Sequence, residues 1–187
     1  MKLIRLLFLC GLLVSVTSLV SAGESDSKTD DGSEKAIELY NSGVKHLDKA
    51  KDILMVGDSA FAYNYRATSD AKAKKEYEHA VKDFKDAIQM KPDMKEAYNN
   101  LGFCYRKLDK LEESLKAYKN ALKLDPDFAQ ALEYMGETYL ALDQLEKATE
   151  HLKKLSELKS AYADTLSNSI EIYKLNQINK TLQSDKK

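Results

Sequence analysis

The chain has 187 residues, which is enough for one domain or for one domain and a small second one. Its 29 Lys and Arg residues nearly balance its 30 Asp and Glu residues, so the formal net charge is −1. No basic stripe interleaved with aromatic side chains stands out from this even mixture. The composition therefore argues against a nucleic-acid-binding protein.

The first 22 residues have the layout of a secretory signal peptide. Lys2 and Arg5 precede an apolar run over residues 6–16, and a Val-x-Ala ending closes the segment. A membrane anchor is the alternative, but the apolar run is shorter than the ~20 residues that a spanning helix needs. We predict cleavage after Ala22. The product is then a secreted or periplasmic protein without a transmembrane segment.

Residues 23–34 are polar and contain no aromatic side chain, which is typical of a disordered linker. An extended first helical hairpin follows over residues 35–94. We expect its first helix to begin near Glu34, after Ser33 as the N-cap, and its second helix to begin near Asp70. The connection between these two helices is longer than the connections in the hairpins that follow.

An aromatic segment lies in this long connection, and it has no counterpart in the rest of the chain. It contains Phe61, Tyr63 and Tyr65, which follow a Gly-Asp-Ser breaker. One interpretation is that the three rings cap the open end of the structure. The other is that the segment forms a lid over a binding groove or an interface with another subunit.

The strongest pattern is a 34-residue repeat whose clearest copy covers residues 95–128. A shift of 34 positions places Gly102 on Gly136, and the next copy covers residues 129–159. Within each copy, apolar residues recur every three or four positions, which predicts two amphipathic helices. Because glycine is unfavourable inside a helix, we expect a neighbouring helix to approach closely at Gly102.

The end of the chain predicts a closing helix. Pro126 ends the clearest copy because proline cannot continue a helix, whereas Ser160 stands at the matching place of the next copy. Residues 160–182 then form one further helix, and residues 183–187 form a tail. Since a repeat hairpin cannot bury its own apolar face, we expect this helix to cap the stack. Asn179 begins a glycosylation sequon.

The repeat resembles the tetratricopeptide repeat (TPR). Its signature positions are Tyr98, Leu101, Gly102, Tyr105, Ser114, Tyr118, Ala121 and Pro126. The resemblance implies an all-α fold, in which about three helix-turn-helix hairpins stack into a right-handed superhelix. The first hairpin is extended, and a C-terminal helix caps the last one.

In TPR proteins the first helix of each hairpin lines a concave groove that binds an extended peptide or a helix. The groove positions that carry over to this chain are Glu96, Asn99, Phe103, Arg106, Gln130, Glu133, Glu137 and Leu140. Phe103 lies off the buried stripe, so we expect a partly exposed interface residue. The alternative is that Phe103 packs on Tyr134 or on the first hairpin. The three groove glutamates favour a partner with some basic character, bound weakly.

One TPR subclass binds the C-terminal carboxylate of a peptide with Lys, Arg and Asn side chains. Only Asn100 matches that clamp in this chain. Tyr40, Val44, Gln130 and Tyr134 stand at its other positions, so the resemblance does not extend to chaperone-tail binding.

Catalytic motifs are not evident. The sequence has no Gly-rich phosphate loop and no Gly-x-Ser-x-Gly motif. His46, His79 and His151 have no second histidine or carboxylate at metal-ligand spacing, so we predict solvent-facing histidines, no metal site and no cofactor. Cys104, the one cysteine left after cleavage, is expected to be a buried thiol that forms no internal disulfide.

We therefore predict a non-enzymatic scaffold or adaptor for protein-protein contacts in the cell envelope. The first alternative is a self-assembling, homo-oligomeric structural protein of the envelope. A small-ligand binder or an enzyme is the second alternative, and no group of residues in the sequence supports it.

Overall fold

The computed structural model of the protein describes residues 31–56 and 63–184. All regular structure in these ranges is helical, which confirms the predicted all-α class. The helices are α1 (Asp31–Val56), α2 (Tyr63–Met90), α3 (Lys95–Lys107), α4 (Leu111–Leu124), α5 (Ala129–Ala141), α6 (Leu145–Glu157) and α7 (Tyr162–Ser184). They pack as three successive hairpins, and α7 packs against α5 and α6. Within the described ranges, no helix combines the length and the apolar character needed to span a membrane.

Each of the first two hairpins contains a glycine that faces an aromatic ring. A Cβ atom on Gly43 would lie 2.7 Å from Cε1 of Phe84, and one on Gly102 would lie 2.6 Å from Cε1 of Tyr118. Both distances are shorter than a van der Waals contact, so only glycine lets these rings lie against the facing helix. Ser114 supports the second hairpin, because its Oγ donates a hydrogen bond of 2.8 Å to the carbonyl of Gly102. The close approach expected at Gly102 is confirmed.

Three short turns share one backbone conformation. Asp109, Asp143 and Lys159 have φ angles of 59°, 57° and 51°, in the left-handed region. The amide that follows each of them donates to a carbonyl five residues back, as Lys110 does to Tyr105 at 2.9 Å. This is the Schellman pattern of helix ends. At Lys159 it ends the third hairpin without the proline that ends the second one.

α7 closes the stack by packing directly on α5. A Cβ atom on Gly136 would lie 2.6 Å from Cδ2 of Leu166, so the third glycine faces the capping helix. Leu166 and Ile170 are buried in the core that α7 shares with α5 and α6. Tyr173 donates a hydrogen bond of 3.1 Å to Asp143 in the turn between α5 and α6. The capping helix is therefore present, as predicted.

The first hairpin differs from the sequence prediction at its helix ends. α1 begins at Asp31, so Ser33 lies inside the first turn instead of at the N-cap. α2 begins at Tyr63 instead of near Asp70. The physical reason is that no glycine or proline interrupts the chain from this start to the end of α2, whereas the prediction placed irregular structure there.

This earlier start changes the setting of the aromatic segment. Tyr63 and Tyr65 belong to the first turn of α2, not to a separate connection. Phe61 lies outside the described residues, as do the predicted signal peptide and most of the predicted linker. The lid and interface interpretations of the three aromatic residues stay predictions.

Lys159→Gly tests the turn that ends α6. Because a side chain is unfavourable at positive φ, we expect this change to stabilise the protein by about 0.5 to 1 kcal/mol. The measurement is the free energy of unfolding in urea. Lys153→Gly, in the interior of the same helix, is the matched control and should destabilise by about 1 kcal/mol. Destabilisation by both changes would contradict the left-handed turn.

Candidate protein-binding surface

The eight predicted groove residues all lie on α3 and α5. Glu96 is exposed, and Phe103, Arg106, Gln130 and Glu137 are half-buried. The other three are buried: Asn99, Glu133 and Leu140. The surface available to a partner in this conformation therefore centres on Phe103 and Arg106.

Phe103 joins neighbouring hairpins through aromatic contacts. Its ring centroid lies 5.3 Å from that of Tyr134 in α5 and 6.3 Å from that of Tyr77 in α2. Tyr134 in turn lies 6.1 Å from Tyr118. The expected partial exposure of Phe103 is confirmed, and so is its packing on both Tyr134 and the first hairpin. These two interpretations do not exclude each other, because one side of the ring packs and another is accessible.

Three cationic side chains surround the Phe103 ring. Lys51 of α1 lies 5.8 Å from the ring centroid, Arg106 lies 5.5 Å away and Lys107 lies 5.4 Å away. Burial lowers the pKa of Lys107, and the nearby charges of Arg106 and Lys51 lower it further. The Glu137 charge opposes this shift, and Lys51 itself lies 3.3 Å from Asp48 Oδ1.

One of these three cations, Arg106, forms an ion pair with Glu137 of α5. Arg106 Nη2 lies 2.9 Å from Glu137 Oε2, and the same guanidinium lies 5.5 Å from the Tyr134 ring. Ser169 of α7 donates a hydrogen bond of 3.3 Å to the other oxygen of Glu137. We call Phe103, Lys51, Arg106, Lys107 and Glu137 the Phe103 surface.

Glu133 lies beneath this surface and is only 3% exposed. Burial raises the pKa of its carboxyl to about 7; the Glu137 charge adds to the rise, and Arg106 opposes it. Within the described ranges, Glu133 has no ion-pair partner. A cation placed beside this carboxyl would favour its charged form.

Two further groove residues, Asn99 and Gln130, form hydrogen bonds within the protein. The amide of Asn99 donates to Gln130 at 3.1 Å, and the amide of Gln130 donates to the Tyr134 hydroxyl at 3.4 Å. Asn100, the one match to the carboxylate clamp, donates to the hydroxyl of Tyr40 at 3.2 Å. These amides hold α1, α3 and α5 in register rather than standing free for a ligand.

A shallow cleft of about 340 Å³ opens beside Lys107, between the first hairpin and the end of α3. Its apolar lining residues are Leu54, Ala73, Tyr77 and Leu108, and Asp70, Lys74, Lys107 and Asp109 complete it. Because Tyr77 also contacts Phe103, the cleft extends the Phe103 surface toward α1 and α2.

Lys51, Lys107 and the cleft were not part of the sequence prediction. Lys107 stands four residues after Phe103, so helical periodicity could have placed it on the same face. Lys51 could not have been found in that way, because it reaches Phe103 from another hairpin.

The buried-thiol interpretation of Cys104 is confirmed. The residue is fully buried, and burial raises the pKa of its thiol to about 12, so it stays protonated. His79 is solvent-facing as predicted, but His46 and His151 are half-buried, and the prediction that the histidines are isolated is wrong. His46 and His79 lie together with Glu76, all three donor atoms within 4.8 Å of one another. His151 is half-buried and stacks on Tyr139 at 5.6 Å.

Two family models of the tetratricopeptide repeat match the chain, one over residues 96–128 and the other over residues 117–150. Together with the stacked hairpins, these matches give the chain the fold of a tetratricopeptide-repeat protein. No curated protein matches the sequence at a significant level.

Solved structures share the fold at low sequence identity. The TPR2B domain of yeast Sti1, solved in a complex with pHsp70, has a TM-score of 0.58 and 18% identity; the match covers 76% of this chain and 98% of that one. The first TPR of Spaghetti (RPAP3), bound to the Hsp90 peptide SRMEEVD, has a TM-score of 0.58 and 17% identity, covering 78% and 98%. The Sgt2 TPR domain from Aspergillus fumigatus has a TM-score of 0.50 and 18% identity, covering 72% and 82%. These likenesses establish the fold alone.

Glu133→Gln tests the buried carboxyl. The folded protein binds the Glu133 proton more tightly than the unfolded chain does. The free-energy cost of ionising this buried carboxyl is therefore absent at pH 4, where it is protonated in both states, and grows as pH rises toward 7. We expect the variant to be more stable than the wild type at pH 8, by on the order of 1 to 3 kcal/mol, and nearly equal at pH 4. The measurement is urea unfolding at both pH values. Glu150→Gln, on the exposed face of α6, is the control and should leave the free energy of unfolding unchanged at both pH values. An equal gain in stability at pH 4 and pH 8 in Glu133→Gln would contradict the raised pKa.

Proposed function

We propose that this chain is a non-enzymatic adaptor that binds a segment of another protein, extended or helical, on the Phe103 surface. The observation that carries the proposal is the accessible Phe103 ring with three cations around it. An aromatic residue among charged groups is typical of an interaction hot spot. The structural neighbours solved in a pHsp70 complex and with an Hsp90 peptide support a peptide as the class of ligand.

The charges of the surface specify the chemistry of that segment. An acidic side chain or carboxylate is proposed to bind at Lys51 and Lys107, whose ammonium groups lie 5.8 and 5.4 Å from the Phe103 ring centroid. A basic side chain fits at the other end, near Glu137 and above Glu133. The basic character expected of the partner is thus proposed for one end of the segment. An apolar residue near the other end is proposed to fill the cleft beside Lys107.

The partner that we propose is not a chaperone tail. The clamp for a C-terminal carboxylate is represented by Asn100 alone, and this amide already donates to Tyr40. The predicted signal peptide supports a place of action in the periplasm or outside the cell. We therefore propose a partner in the cell envelope or the medium instead of a chaperone.

A charge reversal tests the Phe103 surface. We expect a displayed peptide library to be enriched by the wild type in peptides with Asp or Glu next to an apolar residue. Lys51→Glu with Lys107→Glu should shift that enrichment to Lys and Arg, because the sign of the surface potential changes there. The affinity of this double variant for the peptides that the wild-type protein enriched should fall at least about tenfold.

Lys116→Glu with Lys119→Glu is the matched control, because both lysines are exposed on α4 and lie away from Phe103. The control should enrich the same peptides as the wild type. Identical enrichment by the wild type and by the Lys51 and Lys107 variant would contradict the proposed site.

Self-association is a second candidate function, and the outer face of α7 favours it. Four large apolar side chains, each more than half exposed, follow one another at three- and four-residue steps: Ile172, Leu175, Ile178 and Leu182. This spacing places them on one face, opposite the buried Leu166 and Ile170. In a repeat stack such a face is where the next hairpin packs, so a second copy of the chain could cover it.

Leu175→Glu with Ile178→Glu tests this candidate. If α7 pairs with a second copy, the mass of the wild type measured by light scattering should rise with concentration. The variant should then keep the mass of a monomer, because two buried carboxylates would oppose the contact. Asn176→Glu with Lys180→Glu, on the same helix, is the control for charge alone. A wild type that is monomeric at every concentration would exclude this candidate.

A further inference from the structure

The two helices of the first hairpin bring four metal-ligand side chains together. Glu76, His79 and Asp83 stand three and four residues apart, which places them on one face of α2. His46 of α1 faces them. Helical spacing reveals the three residues of α2, so the prediction that no carboxylate stands at metal-ligand spacing is wrong for His79, but it could not reveal His46, which lies on another helix.

The Nδ1 atoms of His46 and His79 both lie near one carboxylate oxygen of Glu76. His46 Nδ1 lies 2.6 Å from Glu76 Oε2, and His79 Nδ1 lies 4.0 Å from the same oxygen. The two imidazole rings have centroids 5.0 Å apart. One ion at 2.0 to 2.2 Å from each donor needs donors about 3.3 Å apart, so small side-chain rotations suffice. His79, with 48% of its side chain exposed, is free to make most of this adjustment.

Glu76 is oriented for this role. Glu76 is only 8% exposed, and its Oε1 atom lies 2.7 Å from Lys49 Nζ. The lysine thus occupies one carboxylate oxygen and leaves Oε2 for His46 and His79. Hydrogen bonds from Lys49 and His46 lower the pKa of Glu76, so the carboxylate is charged at neutral pH.

Asp83 is placed to accept the hydrogen bond that a metal-bound histidine usually donates from its other ring nitrogen. Its Oδ2 atom is buried, has no hydrogen-bond partner among the described residues, and lies 4.0 Å from His46 Nε2. When Nδ1 of a histidine binds a metal, its Nε2–H is left to donate, commonly to a carboxylate. A small turn of the His46 ring would satisfy the otherwise unpartnered Asp83 oxygen.

The matching places of the second hairpin show how unusual these residues are. Three residues after the ring-facing glycine, the first hairpin has His46 and the second has Tyr105, which packs on the core. Just before the facing ring, the first hairpin has Asp83 and the second has the buried Ala117. The first hairpin thus has an imidazole and a carboxylate where the second hairpin has core side chains.

We propose that His46 Nδ1, Glu76 Oε2 and His79 Nδ1 bind one divalent transition-metal ion, with water as the fourth ligand and Asp83 supporting His46. Two imidazoles with one carboxylate suit Zn²⁺, Cu²⁺ or Ni²⁺, whereas Mg²⁺ and Ca²⁺ prefer oxygen donors. The ion replaces the proton between His46 and Glu76 and links α1 to α2. This site is separate from the Phe103 surface, and the proposal does not rest on peptide binding.

The test is a Co²⁺ titration of the full chain, purified without a histidine tag and treated with a chelator. We expect visible absorption that saturates at one ion per chain and is displaced by Zn²⁺. Zn²⁺ should also raise the melting temperature, whereas Mg²⁺ should not. His79→Ala should weaken binding at least about tenfold, and Asp83→Asn should weaken it about 10- to 100-fold.

His151→Ala is the matched control, since it removes the third histidine of the chain and should leave Co²⁺ affinity unchanged. His79 is the best residue to vary because its exposure lets the chain fold without it, which circular dichroism will verify. Absence of a saturable Co²⁺ spectrum in the wild type would overturn the proposal and leave a plain ion-pair network. Equal affinity in folded His79→Ala would also overturn it, because the ion would then bind elsewhere.

Discussion

The contact between a glycine and a facing side chain is the constraint on which the rest of the structure depends. At Gly43 and Gly102 an aromatic ring lies against the backbone, and a Cβ atom would overlap it. Such a contact fixes both the separation and the rotation of the two helices. Phe103 follows Gly102 directly, about 100° further around the helix, so the buried glycine determines where the accessible ring points.

Burial has shifted charged groups of the binding surface in opposite directions. The pKa of Glu133 is raised and that of Lys107 is lowered, and burial is the largest cause for both. Each group is therefore less stable in its charged form here than in water. A basic group of a ligand placed beside Glu133 would favour the charged form of that carboxyl.

Periodic features could be predicted from the sequence, and contacts across hairpins could not. The 34-residue spacing located α3 to α6 because each helix repeats one apolar pattern, and Phe103 was found because it departs from that pattern. The start of α2 was missed because the first hairpin has no second copy to fix its register. Lys51 reaches Phe103 and His46 reaches Glu76 only after α1 and α2 pair, and no spacing rule crosses the connection between them.

The two proposed sites share the first hairpin, and this has a consequence for its rigidity. Tyr77, which contacts Phe103, follows Glu76 directly, and Lys51 stands five residues after His46 on α1. An ion bound to His46 and Glu76 would fix the relative position of α1 and α2 just where these helices contribute to the Phe103 surface. Because Lys51 and Tyr77 must be in place before a ligand binds, metal binding would reduce the ordering cost of peptide binding.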